Sequence, residues 1–260
     1  MPSGEKAEGA LKLQVLSYER LKARDDDEVH KMVRALSDEG LFFLDMDGPS
    51  AGQSLQDLTP ILRYQRAFFE RAPEIKSKYK TDFRFQGFIP TDIGVELLRL
   101  SREECIQGTL DLPHDLRPVS ANVLSTSSFI DGLLRDLAAT LFAAMGLPPP
   151  ALDPQQPGLS YLTLGISKAQ RGTCLVEPHE DEGFLTLTFY DEPFLEVLDR
   201  TTREWKLLEV NEHMPIVNVA LESQRRSNDR LYAPLHRVTH GENEIDLIMY
   251  DLYESPSRVV

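Results

Sequence analysis

Apolar and polar positions along this chain follow two different periods, and the change from one to the other divides it. Leu11 to Tyr18 (LKLQVLSY) alternates with period two, as a half-buried strand does. The segment DDDEVHKMVRALSDEG then places Val29, Met32, Val33 and Leu36 on one helix face, with acids at its start and Gly40 after its end. LFFLDM follows as a strand. From Leu55 to Lys80 the residues Leu58, Ile61, Leu62, Tyr64, Phe68 and Phe69 recur at helical spacing, which predicts a second long helix interrupted at Pro73. Phe83 to Asp111, punctuated by Gly87, Pro90, Gly94 and Gly108, reads as loops and short strands crossing a surface or a pocket mouth. Ser127 to Gly146 is a third helix, ended by Gly146 and the prolines at 148–150.

Beyond Pro157 the texture becomes a series of short strand-like runs separated by turn residues: LSYLTLGI, FLTLTFY, LEVLD, WKLLEV, PIVNVAL, LHRVTH and IDLIMYDLY. Strands at this spacing predict a sandwich or barrel rather than alternating strand and helix units. The expected architecture is mainly β with N-terminal helices, in a single domain over residues 1–260. Residues 1–10 are expected to be disordered, 11–156 to form a helical N-terminal part, and 157–260 to supply the strands. No internal repeat or low-complexity tract is present.

Composition narrows the function classes. The 260 residues include 28 Lys+Arg against 42 Asp+Glu, a net charge of −14. Nucleic-acid binders draw affinity from clustered cations facing phosphates, and no basic run is present here, so a small-molecule partner is expected instead. No stretch approaches the roughly 20 apolar residues of a membrane span, and the start lacks the layout of a signal peptide. The two cysteines, Cys105 and Cys174, stand far apart. Together these features predict a cytoplasmic protein in a reducing compartment, and none of them fixes an oligomeric state.

Six histidines occur, at 30, 114, 179, 213, 236 and 240, and His179 is followed two residues later by Asp181. On a strand, residues i and i+2 share a face, so this pair can present an imidazole and a carboxylate to one ion. A site of two imidazoles and one carboxylate needs a further histidine from another strand and leaves positions open for O2 and substrate. His236, in LYAPLHRVTH, is the natural third member. His240 and Glu242 have a similar spacing but fall in a turn-like THGENE stretch and read as a decoy.

The surroundings resemble the isopenicillin N synthase-like branch of the Fe(II)/2-oxoglutarate-dependent dioxygenases. That family carries its first ligand pair in H-T-D-x-G-x-L-T-L-L, and here the chain reads His179-Glu180-Asp181-Glu182-Gly183-Phe184-Leu185-Thr186-Leu187-Thr188. Trp205, Val217-Asn218, the turn Asn228 to Tyr232 and His236-Arg237-Val238 follow in the family's order, while Gly40-Leu41-Phe42-Phe43, Phe68-Phe69 and Gly87-Phe88 match it upstream. The resemblance implies a double-stranded β-helix (jelly roll) core, Fe(II) held by His179, Asp181 and His236, O2 as cosubstrate, and a small organic substrate. Phe88, Tyr161, Thr188 and Asn218 are candidates for lining the substrate pocket, and Arg237 is expected to be a structural anchor.

The chain departs from the family where 2-oxoglutarate would be held. The R-x-S pair that grips the distal carboxylate is replaced by Ile245 and Leu247, the strand tyrosine by Leu164, and the G-D after V-N by Ala220-Leu221. An unpartnered carboxylate against Ile and Leu is strongly disfavoured. The primary expectation is therefore an Fe(II)- and O2-dependent enzyme that works without 2-oxoglutarate. The alternative is a 2-oxoglutarate-dependent hydroxylase or desaturase with another clamp, for which Arg225, Arg226, Lys168 and Arg171 are candidates. A third reading is a catalytically inactive binding protein on the same fold.

Overall fold

The computed structural model of the chain describes residues 11–82, 86–90, 94–153, 158–168, 176–209, 214–239 and 243–254. Cys174, His213, His240, Glu242, Arg171 and the expected disordered start at 1–10 lie outside these residues. Twelve strands are described: β1 (Val15–Ser17), β2 (Leu41–Asp45), β3 (Gly87–Pro90), β4 (Val95–Ser101), β5 (Tyr161–Ser167), β6 (Val176–His179), β7 (Leu185–Tyr190), β8 (Leu195–Leu198), β9 (Trp205–Leu207), β10 (Ile216–Val219), β11 (His236–Val238) and β12 (Ile245–Leu252). They form two sheets, one ordered β1-β2-β10-β7-β12-β5-β4-β3 and the other β6-β11-β8-β9. All pairings are antiparallel except β1 with β2.

The N-terminal part adds strands to the large sheet: β1 and β2 fall where strands are expected at Leu11–Tyr18 and LFFLDM, and β1 to β4 complete both flanks of the sheet. The segment that reads as irregular, Phe83 to Asp111, contains a seven-residue strand, β4, paired along its whole length with β5. The glycines that suggest loops lie outside it: Gly94 directly precedes β4 and Gly108 caps the helix Arg102–Gln107 that follows, with positive φ of 86° and 67°. β4 itself keeps its alternation, with Leu98 and Leu100 in the hydrophobic core.

That alternation sorts the large sheet into two faces. On the outer face, Leu162, Leu164 and Ile166 of β5 and Ile248, Tyr250 and Leu252 of β12 are buried in one core with the helices. The helix Ser120–Ala144 packs there through Ile130, Leu134, Leu137 and Leu141. It is fastened by Asp131, which accepts the Tyr250 hydroxyl at 2.7 Å, Arg102 Nε at 3.0 Å and Arg135 Nε at 2.7 Å. Burial alone would raise the Asp131 carboxyl, but Arg135, Tyr250 and Arg102 together hold it below the ordinary range. A second helix, Gly52–Phe69, reaches the same sheet through Gln65, which donates to the Gly165 carbonyl at 3.2 Å, and through an Arg66–Asp246 ion pair. Among the described residues no helix is long and apolar enough to cross a membrane.

The inner face of the large sheet looks toward the small sheet across a cavity of about 390 Å³, lined by residues of both. Cys105, on the helix Arg102–Gln107, is a free thiol that burial pushes above its usual range, away from the reactive thiolate.

The connection from β6 to β7 is pinned by backbone contacts. Phe184 N–H donates to the Leu252 carbonyl at 2.7 Å and Leu221 N–H to the Asp181 carbonyl at 2.7 Å. A Cβ on Gly183 would lie 2.4 Å from the Leu252 carbonyl oxygen, which is rigid strand backbone. Gly183→Ala should therefore displace this turn and lower unfolding stability by about 2–4 kcal/mol in chemical denaturation. A cost under about 0.5 kcal/mol would contradict the packing described.

Candidate metal centre

β6 and β11 are antiparallel neighbours with His179 directly opposite His236, so the two imidazoles stand side by side with ring centroids 4.3 Å apart. Asp181 is not on a strand, although its spacing from His179 suits one. β6 ends at His179, and the carboxylate comes from the pinned turn that follows. Its Oδ1 lies 3.9 Å from His179 Nε2 and 3.7 Å from His236 Nε2. One donor atom from each of the three residues falls within 4.8 Å of the others.

Both imidazoles are oriented in the same way. His179 Nδ1 is 2.8 Å from the Glu177 carbonyl and His236 Nδ1 is 3.0 Å from the Pro234 carbonyl, so each Nδ1–H donates to backbone and each Nε2 lone pair faces the gap. Burial, reinforced by His236, holds His179 below the ordinary imidazole range, so the ring is neutral and free to ligate near pH 7. Burial would raise Asp181, but the neighbouring His236, the Asn218 amide, the Thr186 hydroxyl and His179 outweigh it and keep the carboxyl ionised. The donor set and tautomers fit a divalent cation with open coordination positions.

The expected pocket residues divide. Tyr161 and Thr188 line the cavity. Asn218 lines it too and also orients a ligand, because its Nδ2 donates to Asp181 Oδ2 at 2.9 Å and so aims the carboxylate. Phe88 does not reach the cavity. It is buried edge-on against Phe68, with centroids 5.9 Å apart, under the Lys76 ammonium at 5.6 Å, because its parity on β3 points it to the helical side. Leu164 likewise belongs to the helical core, and the tyrosine that faces inward on β5 is Tyr161. Arg237 stacks 4.3 Å over Trp205 and donates to Glu196 at 2.6 Å, a structural anchor as expected.

Leu247 lines the cavity and Ile245 is buried beside it, so the inner face of β12 is apolar where the R-x-S pair would stand. The candidate substitutes do not repair this. Arg225 pairs with Glu222, Arg226 with Glu254 and Lys168 with Glu96, and none of the three lines the cavity. Two residues that the sequence reading passes over do line it: Arg99 on β4 and Asp251 on β12. Arg99 lies 4.7 Å over the Tyr161 ring. Burial, with a contribution from Asp181, pushes the Asp251 carboxyl up to about 8, against the opposing effects of Arg99, Tyr161 and Thr186. A legible signal exists for Arg99, since it shares parity with Val95 and Leu97 in an otherwise apolar run.

No family model matches the sequence. A curated relative, the 2-oxoglutarate-dependent dioxygenase FG08081 of Gibberella zeae, is 22% identical over 261 residues, covering 87% of this chain and 73% of that protein. The oxidoreductase vrtI of Penicillium aethiopicum is 23% identical over 245 residues, covering 87% of this chain but only 59% of its own length. Among solved structures, the dioxygenase for auxin oxidation 1 of Arabidopsis thaliana, in complex with 2-oxoglutarate, superimposes with a TM-score of 0.78 at 21% identity, over 96% of this chain and 95% of that one. The chain has the fold of the Fe(II)/2-oxoglutarate-dependent oxygenase superfamily. Within this superfamily fold, His179, Asp181 and His236 line the cavity between the sheets.

His179→Ala and His236→Ala should each abolish Fe(II) binding in anaerobic titration. Asn218→Ala should weaken it by roughly 10- to 100-fold, the usual effect of losing a group that orients a ligand. Binding unchanged in either histidine variant would reject the site.

Proposed function

We propose that the protein is a non-heme Fe(II), O2- and 2-oxoglutarate-dependent oxygenase acting on a small organic molecule, built on a double-stranded β-helix. The observation that carries this is the convergence of two Nε2 lone pairs and one carboxylate oxygen in the lining of a cavity between the two sheets. His179, Asp181 and His236 would hold the metal, and with 2-oxoglutarate it supplies the oxidising power for attack on a substrate bond.

The absence of the R-x-S pair favours a 2-oxoglutarate-independent enzyme only while no other cation is in view. Arg99 changes this. It is the sole Lys or Arg side chain among the described residues lining the cavity. It stands directly across from Thr163 on the neighbouring strand, and the Thr163 hydroxyl is buried without a hydrogen-bond partner. A guanidinium and a hydroxyl on paired strands offer a carboxylate the same donors that R-x-S offers from one strand. In this reading Arg99 receives the distal carboxylate of 2-oxoglutarate, Asn218 fixes the Asp181 carboxylate, and Leu97, Leu247 and Met249 exclude water from the chamber. The retained ligand triad also speaks against an inactive scaffold, since a buried, ionised Asp181 gains most from a cation in front of it.

Anaerobic addition of Fe(II) followed by 2-oxoglutarate should produce the visible charge-transfer band of a metal-chelated keto acid. Arg99→Met should keep Fe(II) binding and weaken 2-oxoglutarate binding by roughly 10- to 100-fold, the loss expected for a charge-assisted hydrogen bond. If Fe(II) binds and no band forms, the enzyme works without this cosubstrate.

A further inference from the structure

The walls of the cavity change character along the strands. The Thr186 hydroxyl reaches Asp181, and Thr186, Asp251 and Tyr161 stand opposite one another on β7, β12 and β5, so the carboxylate ligand lies at this level of the large sheet. Two residues further along, Met249, Thr163 and Arg99 form the level that carries the guanidinium. Leu247, Gly165 and Leu97 follow after two more, a rise of about 7 Å. The last level is Ile245, Ser167 and Val95, where the Ser167 hydroxyl is buried without a hydrogen-bond partner.

From the leucines onward both walls are neutral. β11 runs from His236 to Val238, which pairs with Leu195 of β8, and both Val238 and Leu195 line the cavity. Phe194 lines it as well and packs on Tyr190, the residue opposite Leu247, with ring centroids 5.0 Å apart. The charged groups of the lining stand elsewhere: Arg99 and Asp251 on the two levels nearer the triad, and Glu180 and Glu182 flanking Asp181 in its turn. A carboxylate placed among the leucines would meet a neutral hydroxyl and no cation, whereas an alkyl chain there leaves water for hydrocarbon.

Any 2-oxo acid can chelate a metal through its C1 carboxylate and C2 oxygen, so its side chain decides only what else is touched. The balance of the reaction is equally indifferent to the side chain. C1 leaves as CO2, one oxygen atom of O2 enters the remaining acid, one carbon shorter, and the other enters the substrate C–H bond as a hydroxyl. The side chain of 2-oxoglutarate stops at its carboxylate, fit for the guanidinium level, whereas a longer alkyl chain continues to the leucines. We propose that the site also takes medium-chain aliphatic 2-oxo acids as cosubstrates, with the alkyl chain packed between Leu97 and Leu247 of the large sheet and Leu195 and Val238 of the small one. This rests on the cosubstrate reading above and widens it, with Arg99 receiving one class of 2-oxo acid and the leucines the other.

The Fe(II)-loaded protein is titrated under argon with 2-oxobutanoate, 2-oxohexanoate, 2-oxooctanoate and 2-oxoglutarate. Affinity is read from the charge-transfer band, which records only acid chelated at the metal. Each methylene that reaches the leucines should tighten binding roughly fourfold, so that 2-oxooctanoate exceeds 2-oxobutanoate by on the order of tenfold or more. Leu247→Ser and Leu97→Ser should each flatten that rise while Fe(II) still binds. Arg99→Met should weaken 2-oxoglutarate and leave 2-oxooctanoate unchanged. A band with 2-oxoglutarate alone, or an affinity that does not grow with chain length, overturns the proposal and leaves the cosubstrate reading intact. So does a rise with chain length that survives in both folded leucine variants. If Fe(II) binds and none of the four acids gives a band, the cosubstrate reading falls and the proposal with it.

Discussion

The register between β6 and β11 is the constraint on which the rest of the site depends. Antiparallel pairing sets His179 opposite His236 by backbone hydrogen bonds alone, before any side chain is chosen. A slip of one residue would turn one imidazole to the other face of the small sheet. The pairing shifts between His236 and Val238, which confines the well-registered part of this ladder to the two ligands. Asp181 is then brought in from outside the sheet by a turn that the large sheet holds, through Leu221 and Phe184 to the ends of β10 and β12. The two sheets therefore meet at the triad: one supplies the imidazoles and the other fixes the carboxylate.

The same alternation explains why the chamber can be polar without weakening the core. Every second residue of β5 and β12 contributes to a continuous apolar layer against the helices, fastened by the Asp131 network. The intervening positions are freed from that duty. Tyr161, Thr163, Ser167 and Asp251 occupy them, and Thr163, Ser167 and Asp251 each keep a buried polar atom without a protein partner. Buried polar atoms without a partner also occur on the helical side, at Gln65, Thr126 and Arg135, but those of Thr163, Ser167 and Asp251 share the inner face, where a ligand can complete the hydrogen bonding.

The strands after Pro157 and the ligand triad are legible because both depend on local signals: period-two alternation, H-x-D, and a later histidine in a strand-like run. What the chain hides depends on pairing partners. H-x-D suits a strand, but β6 ends a residue after Pro178 and the chain turns before Asp181. Phe83 to Asp111 reads as loops and short strands because glycines and a proline punctuate it, and the length of β4 is fixed only by its partner β5, 60 residues later in the chain, from Ser101 to Tyr161. Phe88 reaches the pocket only by analogy, and the register of β3 on β4 reveals that its ring shares a side with Leu98, toward the helices. Tyr161, Thr188 and Asn218 line the cavity, but that Asn218 aims the carboxylate emerges only from its distance to Asp181.

β4 also governs the expectation about cosubstrate. Searching for a cation along the strand after His236 assumes that the clamp and the second histidine share a hairpin. In the folded sheet β12 is separated from β4 by a single strand, and Met249, Thr163 and Arg99 form one row across the three. An arginine reaching inward from the outer strand of that row looks into the same chamber as a residue on β12. Its stacking on Tyr161 orients the guanidinium. With Leu97 and Leu247 closing over Gly165, whose missing side chain leaves both leucines room, the position suited in the family to R-x-S is filled with hydrocarbon. Among the described residues the cavity's guanidinium therefore comes from β4, and Leu247 and Met249 of β12 give it an apolar wall.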